Sequence, residues 1–210
     1  MQDTQARRVA ERSIALPEGS VPDGTRGRIL EASLGLFAES GFSGTSIRSV
    51  AWATGITSAS LYSHYASKEE ILRDLVMIGI TELRDRIMIA LVPATTPAER
   101  LTALVSTHVE AHASFPLLAL VTNTELHALS TEFAAPAIAI RTELFSLLKS
   151  VLDDGVANGS FTVSDVTAAG HAISGMGLHV ATWFQSEDPA EPARLGAQFA
   201  DFGLRMVGGA

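Results

Sequence analysis

The sequence predicts an all-α protein of about nine helices, three short ones followed by several long ones. Three observations carry this expectation. Apolar residues recur at helical spacing through almost the whole chain after Asp23. Cap residues and prolines interrupt the periodic runs at intervals that suit helices. The only extended candidate, "GSFTVS" at 159–164, is short and glycine-led and reads as a loop. A hydrophobic content of 47% against 18% charged residues supports a well-buried globular protein rather than a disordered one.

Taken in order, residues 1–22 carry no sustained periodicity and run into "LPEGSVPDG", so they read as a flexible arm. Arg7, Arg8 and Arg12 would let such an arm track a DNA minor groove, although a plain tail is the simpler expectation. Ile29, Leu30, Leu34 and Phe37 then form one stripe, which stops at Gly41. "GTSIRSVAWATG" reads as a short helix capped by Thr45 or Ser46, with Ile47, Val50 and Ala51 on its apolar side. Thr57 caps another short helix to about Tyr65. Ser67 with Glu70 forms a capping box that launches a long helix from Lys68, and Thr96, Pro97 and Glu99 repeat the device. Later helices fall near 97–114, 116–129, 132–157, 164–186 and 190–207, with prolines between or within them. The domain boundaries expected are an arm at 1–22, a small helical head at 23–72, and a larger helical domain at 73–210.

Composition excludes several classes. No apolar run approaches the ~18 residues that a membrane span needs, and no signal peptide is evident, so a cytoplasmic protein with no membrane partner is expected. With no cysteine there is no disulfide, thiolate nucleophile or cysteine-bound metal. The net charge of −8 argues against nucleic acid only until its distribution is considered. Residues 1–75 hold eight Lys/Arg against nine Asp/Glu, whereas residues 76–210 hold seven against fourteen. The acidity therefore belongs mainly to the last two thirds, and one face of the head is free to be basic or polar. No GxSxG, HExxH, P-loop or GxGxxG pattern occurs, which argues against the competing reading of a small helical enzyme.

The two short helices joined by "ATGIT" form a helix-turn-helix. Such a unit holds its second helix against the DNA major groove, with the N-terminal half of that helix at the base edges. The composition of "TSASLYSHY" suits that placement. Thr57, Ser58 and Ser60 are short hydrogen-bonding groups, Ala59 can meet a thymine methyl, and Tyr62 and His64 reach further. Leu61 and Tyr65 point back into the packing. Lys68 stands where its ammonium and the next helix's N-terminal amides could share a phosphate. Arg48 is the expected long-reach contact from the preceding helix.

The run "RILEASLGLFAESGFSGTSIRSVAWATGITSASLYSHYASKEEIL", Arg28 to Leu72, closely resembles the N-terminal DNA-binding domain of TetR-family transcriptional repressors. The resemblance implies that Thr45, Ser46, Arg48, Ser58, Ala59, Tyr62, His64 and Lys68 face DNA. It departs from the family's pattern at Tyr65, where phenylalanine is common; the added hydroxyl is expected to offer a further phosphate contact. A TetR-like protein that acts only through protein contacts is the remaining alternative, and the intact Arg48, Tyr62, His64 and Lys68 set argues against it. The resemblance further implies a homodimer on a palindromic operator, released by a small-molecule effector, with no cofactor and no metal. "AAGHAISGMGLHVATWF" places Ala168, Ala172 and Gly175 for close helix approach, and Leu195, Phe199, Phe202 and Met206 form a stripe on the last helix. These are the expected dimer surface, although a core within one chain explains Leu195 and Phe199 equally well.

Effector residues are expected among polar groups set in apolar helices, since a few convergent polar groups are how pockets choose ligands. These are His108, His112, Asn123, His127, Arg141 and His179, with Phe145 and Trp183 as aromatic walls. His108 and His112 also match metal-ligand spacing, but without HExxH hydrogen-bonded structural histidines are the simpler expectation. "HVEAHASFPLLALVTNTELHALS" and "RTELFSLLKSVLDDGVANGSF" are similar to the C-terminal domains of TetR-family regulators of lipid and steroid catabolism. That likeness implies an acyl-CoA thioester or another apolar acid as effector, with Arg141 on its anionic group.

Overall fold

A computed structural model of the chain describes residues 14–208. Among these there are nine α-helices, one 3-10 turn and no strand. They are α1 (Thr25–Gly44), α2 (Ile47–Thr54), α3 (Ser58–Tyr62), α4 (Lys68–Leu91) and α5 (Pro97–Ser114). After them come α6 (Pro116–Thr124), the 3-10 turn Leu126–Ala128, α7 (Thr131–Ala157), α8 (Val166–Trp183) and α9 (Glu191–Met206). No single helix among the described residues is long and apolar enough to cross a membrane.

The expected caps form. Ser46 and Ser49 make a reciprocal capping box at α2, and the Thr57 hydroxyl accepts the Ser60 amide at the start of α3. At α5 the Thr96 hydroxyl accepts the Glu99 amide, while the Glu99 carboxylate accepts the amides of Thr96 and Thr95. Those donors hold the Glu99 carboxyl down at about 2. At α4 the box is shifted by one residue: Ser67 accepts the Glu70 amide, but Glu70 reaches back to Ala66.

The chain divides into two compact units, and the division falls inside α4 and α7. The first contains α1 to α3, α4 as far as Ile80, and the segment Phe115–Ile138. Ile29, Leu30, Leu34, Phe37, Val50, Leu61, Tyr65, Ile71 and Leu72 are buried in it. Each fully buried Leu or Ile contributes roughly 1.5–3 kcal/mol of transfer free energy, so α2 and α3, only 8 and 5 residues long, are held by packing rather than by their own helical stability. Joining 115–138 to this unit extends the head beyond the 23–72 expected.

The expected arm is corrected in its described part. Pro17 is buried, and Ile14 lies against α1, where a Cβ on Gly35 would meet its Cδ1 at 2.9 Å. Residues 14–22 are therefore a packed strap; Arg7, Arg8 and Arg12 lie outside the described residues.

The second unit consists of Thr81–Ser114 and the chain from Ala139 onward. In it α5 packs against both α8 and α9. Val109, Ala113, Val180, Phe184 and Leu195 form a buried cluster, with Phe199 packed on its side. "GSFTVS" is a loop, as expected: Phe161 plugs it against Gly155, and the Thr162 amide donates to the Val207 carbonyl at 2.8 Å.

Candidate functional site

The helix-turn-helix is built around a sharp joint. Gly55 ends α2 in the left-handed region, at φ 72° and ψ 30°, and turns the chain into α3. On α2 the buried positions are Val50, Ala51 and Thr54, which leaves Arg48 and Trp52 outward, one turn apart. On α3 only Leu61 is buried. Ser46, Arg48, Thr57, Ala59, Tyr62 and His64 are exposed, Ser58 and Ser60 half-buried. All ten expected DNA contacts except Thr45 thus reach solvent in whole or part, on α2 and α3 and the residues that flank them.

Two are corrected. Thr45 is only 4% exposed, and its hydroxyl is turned inward between the carbonyls of Leu36 and Gly41, at 3.2 and 2.9 Å. Lys68 does not extend its ammonium outward: Nζ donates to the carbonyls of Phe42 and Thr45, at 2.5 and 2.6 Å, and sits 4.0 Å from the Phe42 ring centroid. Burial lowers its pKa. Tyr65 gains no phosphate contact either. Its hydroxyl accepts from Arg26 Nε at 3.1 Å, Arg26 also pairs with Asp74 at 2.9 Å, and burial pushes the phenol up to about 12.

Two residues were missed by sequence reasoning. Trp52 is 86% exposed, and the signal was present: it stands opposite Val50 and Thr54 on the helical wheel. Glu125 has no such signal. Its carboxylate accepts the Phe42 amide at 3.1 Å, from a residue 83 positions away.

The expected effector residues divide into three places. His108 and His112 on α5 lie together with Arg141 on α7, while Phe145, further along α7, faces His171 on α8; all are in the second unit. The His108 and His112 rings meet edge to face, 4.4 Å between centroids, and His112 Nδ1 bonds the His108 carbonyl at 2.9 Å. Desolvation drives His108 well below its ordinary value and takes His112 to about 4, with the Arg141 charge pushing the latter down further. Both rings are therefore neutral near pH 7. The His108 Nε2 is buried and has no partner. The ring already lies against α8 at Gly177, where an added Cβ would stand 2.7 Å from His108 Nδ1. Phe145 stacks on His171, 4.5 Å between centroids.

The other four are corrected. Asn123 and His127 belong to the head unit, and His127 is exposed on the 3-10 turn rather than set in apolar surroundings. His179 and Trp183 lie on the open face of α8. No group of three residues able to hold a metal occurs among the described residues.

The expected dimer residues also separate. Leu195 is part of its own chain's core, and Phe199 packs beside it. Ala168, Ala172 and Gly175 are open on α8, and Phe202 and Met206 are open on α9.

An all-helical chain with an exposed helix-turn-helix face on one unit and a buried polar cluster in the other defines a two-part DNA-binding regulator. Comparison with known proteins makes the class specific. Residues 29–75 match the model of the bacterial regulatory proteins of the tetR family, and residues 94–207 match the tetracyclin repressor-like C-terminal domain. The chain belongs to the TetR family of transcriptional regulators. It is 28% identical over 182 residues to the HTH-type transcriptional repressor KstR2 of Mycolicibacterium smegmatis, covering 86% of this chain and 89% of that protein. It is 32% identical over 139 residues to KstR2 of Rhodococcus jostii, covering 66% and 68%. The solved ketosteroid transcriptional regulator KstR2 of Mycobacterium tuberculosis superposes with a TM-score of 0.81 at 26% identity, over 92% of this chain and 97% of that one. The family and these relatives are regulators, not enzymes.

Proposed function

We propose that this regulator is a homodimeric repressor that reads a palindromic operator through α2 and α3 and leaves it when an apolar acid or acyl-CoA thioester binds the second unit. The observation that carries the DNA reading is the solvent exposure of Arg48 on α2, Ala59 and Tyr62 on α3, and His64 just after it. Arg48 supplies charge for phosphate or a guanine edge, and the short residues at 57–60 let α3 approach the groove floor.

For the effector, the supporting feature is the cluster of His108, His112 and Arg141. Neutral imidazoles and one cation among apolar helices suit a ligand with a hydrocarbon body, a hydrogen-bonding carbonyl and an anionic end. The ketosteroid relative points towards the same apolar class. Support for a dimer comes from the small residues Ala168, Ala172 and Gly175, open on α8, together with exposed Leu178, Trp183, Phe202 and Met206.

Selection of duplexes from a randomised pool, followed by affinity measurement across a salt series, tests the DNA reading. A palindromic winner with steep salt dependence is expected; equal, weak binding to every duplex would remove it. Native mass spectrometry of the purified protein reports the dimer and any retained ligand in one spectrum.

A further inference from the structure

The DNA-binding head is aimed by a joint whose parts come from helices distant in sequence. At Gly41 the backbone leaves the helical region, with φ 72° and ψ 166°. A ψ so far from the helical value turns the following amide, that of Phe42, out of the α1 ladder. That amide would otherwise be an unpaired donor in a partly buried setting, which is costly. The Glu125 carboxylate, at the C-terminal cap of α6, accepts it at 3.1 Å. On the other side of the same residue, the Phe42 carbonyl accepts from Lys68 Nζ.

One backbone unit is thus held from two directions, by an anion on its N–H and a cation on its C=O. The Thr45 carbonyl takes a second donation from the same ammonium, and Thr45 immediately precedes Ser46, the cap of α2. Displacing the joint therefore displaces the start of the helix-turn-helix. The segment after α6 touches the head at two more points. The Ser130 amide donates to Glu69 at 2.6 Å, and the Arg73 guanidinium lies 4.9 Å from the Phe133 ring centroid. Those contacts grip α4, whereas Glu125 reaches the break itself, opposite Lys68.

From this geometry we infer that Glu125 is a positioning residue for operator reading: its carboxylate, through the Phe42 amide, sets the angle at which α1 delivers α2 and α3 to DNA. It touches no base and no phosphate. The inference rests on the DNA reading proposed above and adds to it a residue outside the helix-turn-helix.

The test uses full-length protein and the duplex that wild type selects from a randomised pool. Glu125→Ala removes the acceptor, and Glu125→Gln keeps a neutral oxygen in the same place. With Glu125→Ala, affinity for the selected duplex falls about tenfold or more, the size expected for one charge-assisted hydrogen bond. Affinity for a scrambled duplex stays at the wild-type value, the thermal midpoint falls by a few degrees only, and the Phe42 amide exchanges faster. Glu125→Gln restores most of the selectivity. Equal loss on the selected and the scrambled duplex would show a purely structural role and overturn the inference. Faster exchange at Phe42 with unchanged selectivity would overturn it too. A wild-type protein that prefers no duplex would sink the DNA reading first, and this inference with it.

Discussion

Lys68 donates its ammonium to the Phe42 carbonyl and lies 4.0 Å from the centroid of the same residue's ring. One side chain thus closes the break at the end of α1 by a hydrogen bond and by cation–π attraction, a pairing worth on the order of 0.5–2 kcal/mol where it is partly desolvated. Lys68→Met keeps the stem and removes the charge. It should lower unfolding free energy by about 1–2 kcal/mol, the range for a charged hydrogen bond lost at a half-buried site. Denaturant unfolding checks this; an unchanged midpoint would show that the ammonium is spent on something other than the joint.

Gly41 is the second half of the same device. Its φ of 72° is strained for any residue with a Cβ, although the nearest atom such a Cβ would meet, Glu125 Oε1, is an ordinary 3.5 Å away. With ψ at 166° this is a conformation open essentially to glycine alone, so Gly41→Ala should cost about 1–3 kcal/mol through backbone strain. Thermal unfolding of the variant measures it.

Tyr62→Ala and Arg48→Ala should each weaken operator binding by roughly 1–3 kcal/mol while leaving the fold intact, because neither side chain is buried. The Arg48 variant should also show a shallower dependence of affinity on salt. Binding isotherms at several salt concentrations separate the two, and a drop in thermal stability would contradict the placement of either residue.

The buried histidines couple stability to pH. His112 is 4% exposed and titrates near 4 in the fold, against 6.5 when unperturbed, and His108 is shifted in the same direction. Below pH 6.5 the unfolded chain takes up protons that the folded one refuses. Stability is therefore full above about 6.5 and declines as pH falls towards 4, by up to about 1.4 kcal/mol per pH unit for each such histidine. His112→Phe should flatten that decline in a series of midpoints between pH 7 and pH 4.

Gly177→Ala places a methyl group 2.7 Å from His108 Nδ1, so the ring or α8 must move. A cost of about 1–3 kcal/mol is expected for overpacking at this contact. Phe202→Glu combined with Met206→Glu leaves the chain's own core alone but charges the open face of α9, and should convert a dimer to monomers by light scattering.

The helices and most of what the head displays were legible along the chain. Caps such as Ser46, Thr57 and Thr96, and stripes such as Ile29–Phe37, act within one or two turns, so their partners lie within four residues and can be read directly. Exposure of Arg48, Ala59, Tyr62 and His64 follows from the same periodicity, and Trp52 was readable by that rule as well. Packing in three dimensions set where Thr45 and Lys68 turn, because both answer to the Gly41 break rather than to helical phase. It also set Leu195 against its own chain's core, and it gathered His108, His112 and Arg141 into one cluster while dispersing the other expected effector residues. Glu125 marks the limit most clearly. A carboxylate that caps an amide 83 residues away is chosen by the packing of two helices, and nothing within reach of either residue along the chain encodes that meeting.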